Sequence, residues 1–241
     1  MRDIYYFGTC LVDLFYPQAG MAGIQLLERF GARVHYPQEQ SCCGQPPFNS
    51  GFRDEAQNVA IQQLALFDQP FDLVVPSGSC AGMIKHHWPE LLKDTEHEAR
   101  AIELAARTYE LGEYLIDHLN VSLEDQGEPI AVVVHTSCSA RREMGVAEQG
   151  KALLGMLKNV TVEVPQYETE CCGFGGTFSV KQPEISAAMA EDKTTHLAAA
   201  GANRFVCGDS GCLMNLSGTL EKRGIQLDSS HLYDFIWERV Q

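Results

Sequence analysis

The chain has 241 residues, 45% of them hydrophobic, with 32 acidic against 18 basic side chains and a formal net charge of −14. That length holds one large domain or two small ones, each able to bury a core. The acidic excess argues against nucleic-acid binding, which needs a basic face to displace phosphate counterions, and against docking to an anionic membrane by charge alone.

The segment Met1–Phe7 has neither the apolar stretch nor the cleavage site of a signal peptide, and no run reaches the roughly 18 apolar residues of a membrane span. The expectation is a cytoplasmic protein, where clustered cysteines serve metal or redox chemistry rather than structural disulfides. Ile4–Phe7 reads as a strand ending just before Cys10. Ala22–Phe30 carries apolar residues three and four apart, as a helix does. Ala32–Tyr36 reads as a strand before Cys42-Cys43-Gly44. Asp54–Phe67 is a second helix, and Asp72–Val75 a strand leading to Cys80. Residues 97–119 read as one long amphipathic helix with Ile102, Ala105, Ala106, Tyr109, Tyr114, Leu115 and Leu119 on its apolar face. Residues 121–129 are rich in Glu, Asp, Gly and Pro and mark the boundary between halves, 1–120 and 129–241.

The pattern then repeats. Val132–Val134 is a strand before Cys138, Lys151–Leu157 a helix, and Val162–Val164 a strand before Cys171-Cys172-Gly173. Glu184–Ala199 is a helix, Arg204–Cys207 a strand leading to Cys212, and Leu232–Trp237 opens a closing helix. Strands alternating with helices imply an α/β fold: two similar half-domains, each a small parallel sheet flanked by helices, related by a pseudo-two-fold axis. In such sheets ligands bind at the carboxyl ends of the strands, which is where the cysteines fall.

Eight of the nine cysteines belong to this repeat: Cys10, Cys42, Cys43 and Cys80, then Cys138, Cys171, Cys172 and Cys212. Three readings compete. Disulfides are disfavoured, because adjacent cysteines bridge only with strain. Structural zinc would be satisfied by four thiolates, yet structural zinc sites usually use Cys-x₂₋₄-Cys knuckles, and neither set contains Cys-x-x-Cys. Iron–sulfur clusters suit two sets of thiolates flanked by Gly44, Gly173, Gly175 and Gly176, whose backbone can approach a bulky core. The ninth cysteine, Cys207, either assists the second site or is a buried strand residue.

Cys42-Cys43-Gly44-Gln45-Pro46 and Cys171-Cys172-Gly173-Phe174-Gly175-Gly176 resemble the tandem cysteine-rich CCG domain. That domain occurs in the cysteine-rich component of heterodisulfide reductase and in the iron–sulfur subunits of glycolate oxidase and anaerobic glycerol-3-phosphate dehydrogenase. The resemblance covers essentially the whole chain. With two CCG halves and no ferredoxin-type cysteine run, the chain is most similar to the lactate-utilisation members. The resemblance implies an iron–sulfur electron-transfer subunit of a complex oxidising L-lactate to pyruvate. It further implies two partner subunits, one carrying ferredoxin-type clusters, and a 4Fe-4S cluster in each half. Zinc scaffolding and a thiol–disulfide, heterodisulfide-type reductase role are the alternatives. In the heterodisulfide reductase component each set ends in Cys-x-x-Cys, whereas here Ser77 and Asp209 occupy the earlier position. Each half therefore offers four thiols, one short of the non-cubane type.

No G-x-G-x-x-G follows a strand, and no HExxH or P-loop is present, so dinucleotide-binding, metalloprotease and kinase readings lack support. His135, three residues before Cys138, is either a donor or proton carrier to a cluster or a core histidine. Arg141 and Arg142, and more weakly Lys181, could offset the negative charge of a thiolate cluster, bind a carboxylate substrate, or lie in solvent. His86 and His87, and the loop residues Gln45, Asn49 and Ser50, admit both a site and a surface reading.

Overall fold

A computed structural model describes residues 1–241. Eight strands form two four-stranded parallel sheets. The first contains β1 (Arg2–Tyr6), β2 (Ala32–His35), β3 (Asp72–Val75) and β4 (Thr108–Glu110) in the order β2-β1-β3-β4. The second contains β5 (Ile130–His135), β6 (Val160–Glu163), β7 (Arg204–Cys207) and β8 (Asp228–His231) in the order β6-β5-β7-β8. Identical strand order in both halves is the structural form of the sequence repeat. The chain reverses direction of travel beside β1 and beside β5, the point at which such sheets open a crevice.

The helices of the first half are α1 (Cys10–Phe15), α2 (Pro17–Arg29), α3 (Gln45–Asn49), α4 (Arg53–Leu64), α5 (Gly78–Gly82), α6 (Trp88–Leu91), α7 (Glu98–Ala106) and α8 (Leu111–Glu113). Those of the second are α9 (Cys138–Arg142), α10 (Ala147–Gly155), α11 (Phe178–Lys181), α12 (Pro183–Ala199), α13 (Ser210–Lys222) and α14 (Leu232–Val240). Local chemistry sets their starts. Thr9 and Ser137, at matching positions, accept from the amides of Val12 (3.4 Å) and Ala140 (3.1 Å). Both act as N-caps to the helices that carry Cys10 and Cys138.

The halves pack reciprocally. The helix after β1, α1, meets α13 of the second half, and its counterpart α9 meets α5. Likewise α2 packs on α14 while α10 packs on α8. Swapped pairs of equivalent elements are the mark of a two-fold relation. A single core cluster unites Ile4, Tyr6 and Val74 with Val132, Val134 and Val206, so the inner faces of both sheets share one apolar interior. The 121–129 segment is pinned to this assembly. Asp125 accepts from Arg239 on α14 at 2.8 and 2.9 Å and from the amides of Gly127 and Asn159.

Two expectations fail here. The long helix over 97–119 is broken: α7 ends at Ala106, β4 follows, and a π-helical turn spans Tyr114–His118. The Thr108 hydroxyl donates to Leu104 O (2.8 Å) and ends α7. Arg107 donates to the carbonyls of Phe67 and Phe71, and its own carbonyl accepts from the Leu73 amide (2.8 Å), drawing the chain onto β3. The expected apolar face holds in part: Ala105, Tyr114 and Leu115 are buried, but Ile102 is 52% exposed and Ala106 is exposed, and Ala101 and Leu104 are buried in their stead. Each half therefore has four strands rather than three. The added β8, Asp-Ser-Ser-His, pairs only with β7, and an edge strand of polar residues leaves no hydrophobic signature.

Candidate metal centre

Each strand that approaches the interface delivers cysteines beyond its carboxyl end. Cys10 and Cys138 begin α1 and α9; Cys80 and Cys212 lie in the first turns of α5 and α13. The Cys-Cys pairs sit on turns that only glycine completes comfortably. Gly44 and Gly173 have φ of 87° and 81°, in the left-handed region. A Cβ on Gly173 would stand 2.6 Å from Ser186 O, and one on Gly44 3.3 Å from Ala56 O. In both turns the glycine amide donates to the first cysteine sulfur at 3.4 Å. The carbonyl of the second cysteine is held from the far side, by Trp88 Nε1 on Cys43 (2.9 Å) and by Asn215 Nδ2 on Cys172 (2.8 Å).

All eight repeat cysteines line one cavity of about 420 Å³ between the halves. Sulfur separations are 3.7 Å for Cys10–Cys42, 3.1 Å for Cys43–Cys80 and 3.0 Å for Cys172–Cys212. Crowding favours a mixture of thiol and thiolate. The thiols of Cys10 and Cys43 donate to Cys42 and hold it well below the ordinary thiol range. Those of Cys171 and Cys212 do the same for Cys172. Their donors Cys10, Cys43 and Cys212 are pushed up correspondingly. Thiolate is the form that binds metal.

The two positions occupied by Ser77 and Asp209 meet each other. Asp209 Oδ1 accepts from the hydroxyls of Ser77 and Ser79 (2.5 Å for Ser79) and from the Ser79 amide (3.2 Å). Its Oδ2 accepts from Ser137. Because Ser77 and Asp209 are equivalent in the repeat, their contact lies at the pseudo-two-fold axis. The carboxylate is buried, lines the cavity, and ties α5 and α9 to α13 across the interface. The approach is close: a Cβ on Gly78 would stand 2.8 Å from Ala140.

Other sequence-selected residues divide. Gln45 and Asn49 line the cavity, as does His87, whose ring lies 4.6 Å from that of Phe48. Ser50 stands beside it and bonds Thr177 of the other half (2.6 Å). His135 is buried at 2% exposure, neither ring nitrogen has a hydrogen-bond partner, and burial depresses it to about 3, so it is neutral. Cys207 is buried beside a smaller cavity of about 40 Å³, with its sulfur 3.4 Å from the Asp209 amide and carbonyl. Arg141 does not line the large cavity; it contacts the Thr136 hydroxyl and Glu168. Arg142 and His86 are exposed, and Lys181 lies 5.3 Å over the Phe52 ring. Sequence reading missed the part played by Ser79, Ser137 and Asp209 acting together, whose partners lie up to 132 residues apart.

The cysteine-rich domain family CCG matches residues 4–85 and 132–217, once over each half. The chain belongs to this family. It is 38% identical over 98% of its length to lactate utilization protein A of Macrococcus caseolyticus, covering 96% of that protein. It is 40% identical over 95% of its length to lactate utilization protein A of Shouchella clausii, again covering 96%. In fold it is similar to a hypothetical protein from Helicobacter pylori, with a TM-score of 0.68 and 10% identity over 99% of this chain and 49% of that one. No helix is long and apolar enough to cross a membrane.

Proposed function

We propose that the chain serves lactate utilisation as the iron–sulfur electron-transfer subunit of a cytoplasmic complex that oxidises L-lactate to pyruvate. Residues 1–120 and 129–241 are its two half-domains. Cys10, Cys42, Cys43 and Cys80 would hold one 4Fe-4S cluster, and Cys138, Cys171, Cys172 and Cys212 a second. The observation that carries this reading is the convergence of all eight thiols on one cavity with room for more than a single ion. The lactate assignment rests on the names of relatives that align over nearly the whole chain.

When bound, such clusters accept and release one electron at a time, with potentials set by hydrogen bonds to sulfur and by local charge. The chain's own contribution is to hold thiolates and donate to them. Gly44 N, Gly173 N and Phe174 N already point at cysteine sulfurs. Lactate oxidation removes two electrons and two protons, which flavin or nicotinamide usually takes together. That step therefore belongs to a partner; two partner subunits are expected, one of them carrying ferredoxin-type clusters.

One spacing favours a second reading. The 3.7 Å between Cys10 and Cys42 matches the edge of a tetrahedron around one ion with metal–sulfur bonds of about 2.3 Å. A cluster requires these sulfurs to stand further apart, and both residues line the large cavity. Iron and acid-labile sulfide, measured per chain after purification without oxygen, separate the two. About eight of each supports two four-iron clusters. Zinc without sulfide makes the protein a zinc-stabilised scaffold, and no metal with reactive thiols makes it a thiol–disulfide reductase subunit.

A further inference from the structure

The two halves do not offer the same donor set. A ring nitrogen of His135 and the sulfurs of Cys172 and Cys212 all lie within 4.8 Å of one another, and all three residues are buried. The repeat places Phe7 where His135 stands, three residues before the first cysteine of each set. Phe7 is fully buried and packs in one cluster with Cys43 and Cys80, the counterparts of Cys172 and Cys212. The fold thus accommodates a hydrocarbon ring at this place. An imidazole there, unlike a phenyl ring, has two polar atoms to satisfy.

His135 satisfies neither within the chain. A buried polar atom without a partner costs free energy, and such atoms in folded proteins point to a group that completes them. The backbone of β5 fixes where the ring sits, since His135 pairs with Cys207 in the sheet. Neutral imidazole is a common metal ligand, and mixed cysteine–histidine sets hold both zinc and iron.

We propose that His135 donates a ring nitrogen directly to the metal held by Cys172 and Cys212, making the second centre a mixed nitrogen–sulfur site beside an all-thiolate first one. This rests on the reading that the cysteines hold metal. His135 then differs from a residue that merely hydrogen-bonds a cluster, because its nitrogen belongs to the coordination shell. A neutral nitrogen beside the thiolates also gives the second centre a donor that the first lacks, so the two would differ in reducibility.

The test uses the full chain, with Cys42→Ser/Cys43→Ser to silence the first half, reconstituted anaerobically with iron and sulfide. Iron content is measured first. Pulsed EPR of the reduced protein is then compared between unlabelled and ¹⁵N-histidine-labelled samples. The expected result is a strongly coupled nitrogen that changes with the label. It vanishes in His135→Phe, which copies the first half, and in His135→Cys, which keeps the iron by supplying a thiolate. Full iron loading without a strongly coupled nitrogen, or a coupling that survives in His135→Phe, overturns the proposal and leaves the iron–sulfur reading standing. If no iron is taken up, the iron–sulfur reading fails, and cobalt(II) titration tests His135 independently. Removing a ligand should weaken cobalt binding about tenfold or more in His135→Phe, and equal affinity and an unchanged visible spectrum overturn the proposal.

Discussion

Glu110 gives the fold a pH dependence that can be worked out in advance. It ends β4, is buried, and caps α8 by accepting from the amides of Gly112 (2.7 Å) and Glu113 (3.3 Å). Its other oxygen accepts from the Tyr233 hydroxyl of α14. Burial outweighs these bonds and raises its pKa from 4.5 to about 7. A carboxyl raised in the folded state contributes stability that is fully present below its unfolded value and lost as pH rises through the folded one. Between about pH 5 and about pH 8 the loss integrates to about 2.5 kcal/mol. Glu110→Gln keeps an oxygen for the two amides and removes the titration. The buried imidazoles of His135 and His231, depressed to about 3 and about 4 by burial, slope the other way. They are common to both proteins and cancel in the difference. Urea unfolding of the two proteins at both pH values should show the glutamine variant gaining about 2.5 kcal/mol relative to wild type on going to the higher pH. A stability difference that is the same at both would refute the claim that Glu110 is buried and protonated near neutrality.

Four further outcomes are expected. Gly173→Ala should lose the metal of the second half and lower the melting temperature more than Gly44→Ala, because its Cβ meets Ser186 O at 2.6 Å rather than a carbonyl at 3.3 Å; metal content and thermal unfolding decide it. Asp209→Asn removes a negative charge between the two thiolate sets and should shift both reduction potentials upward in a redox titration, with a shift at one centre alone counting against its place on the axis. Asp125→Ala strands the buried Arg239 guanidinium and should cost about 3 kcal/mol of stability by urea unfolding. The isolated, cluster-loaded chain should not oxidise L-lactate with an artificial acceptor, whereas turnover at the rate of the reconstituted complex would make it a self-sufficient enzyme.

Much of this architecture could be read from the chain because its signals are local. Val132–Val134 and Ile4–Tyr6 announce central strands by unbroken apolar runs, and the cysteines fall one turn beyond them. Cys-Cys-Gly announces a turn, since the third residue must take a positive φ. What escaped is set by contacts distant in sequence. The Arg107 bonds that pull β4 out of a helical stretch reach back to Phe67 and Phe71. Arg141 has the charge to face a cluster, but Glu168 and Thr136 draw it elsewhere. His135 carried a recognisable chemistry at a recognisable place; its isolation from every hydrogen-bond partner is a property of the packed interior alone.

The contact between Ser77 and Asp209 also bears on how such a molecule can descend from a duplication. A pairing of two first halves would set serine against serine at the axis, where the hydroxyls could bond only one another and no charged acceptor would gather them. A pairing of two second halves would bring two carboxylates together out of water, where one must take up a proton. Only unlike halves give one anion ringed by donors. Fusion into a single polypeptide fixes one serine half beside one aspartate half, so this complementary contact forms within every molecule.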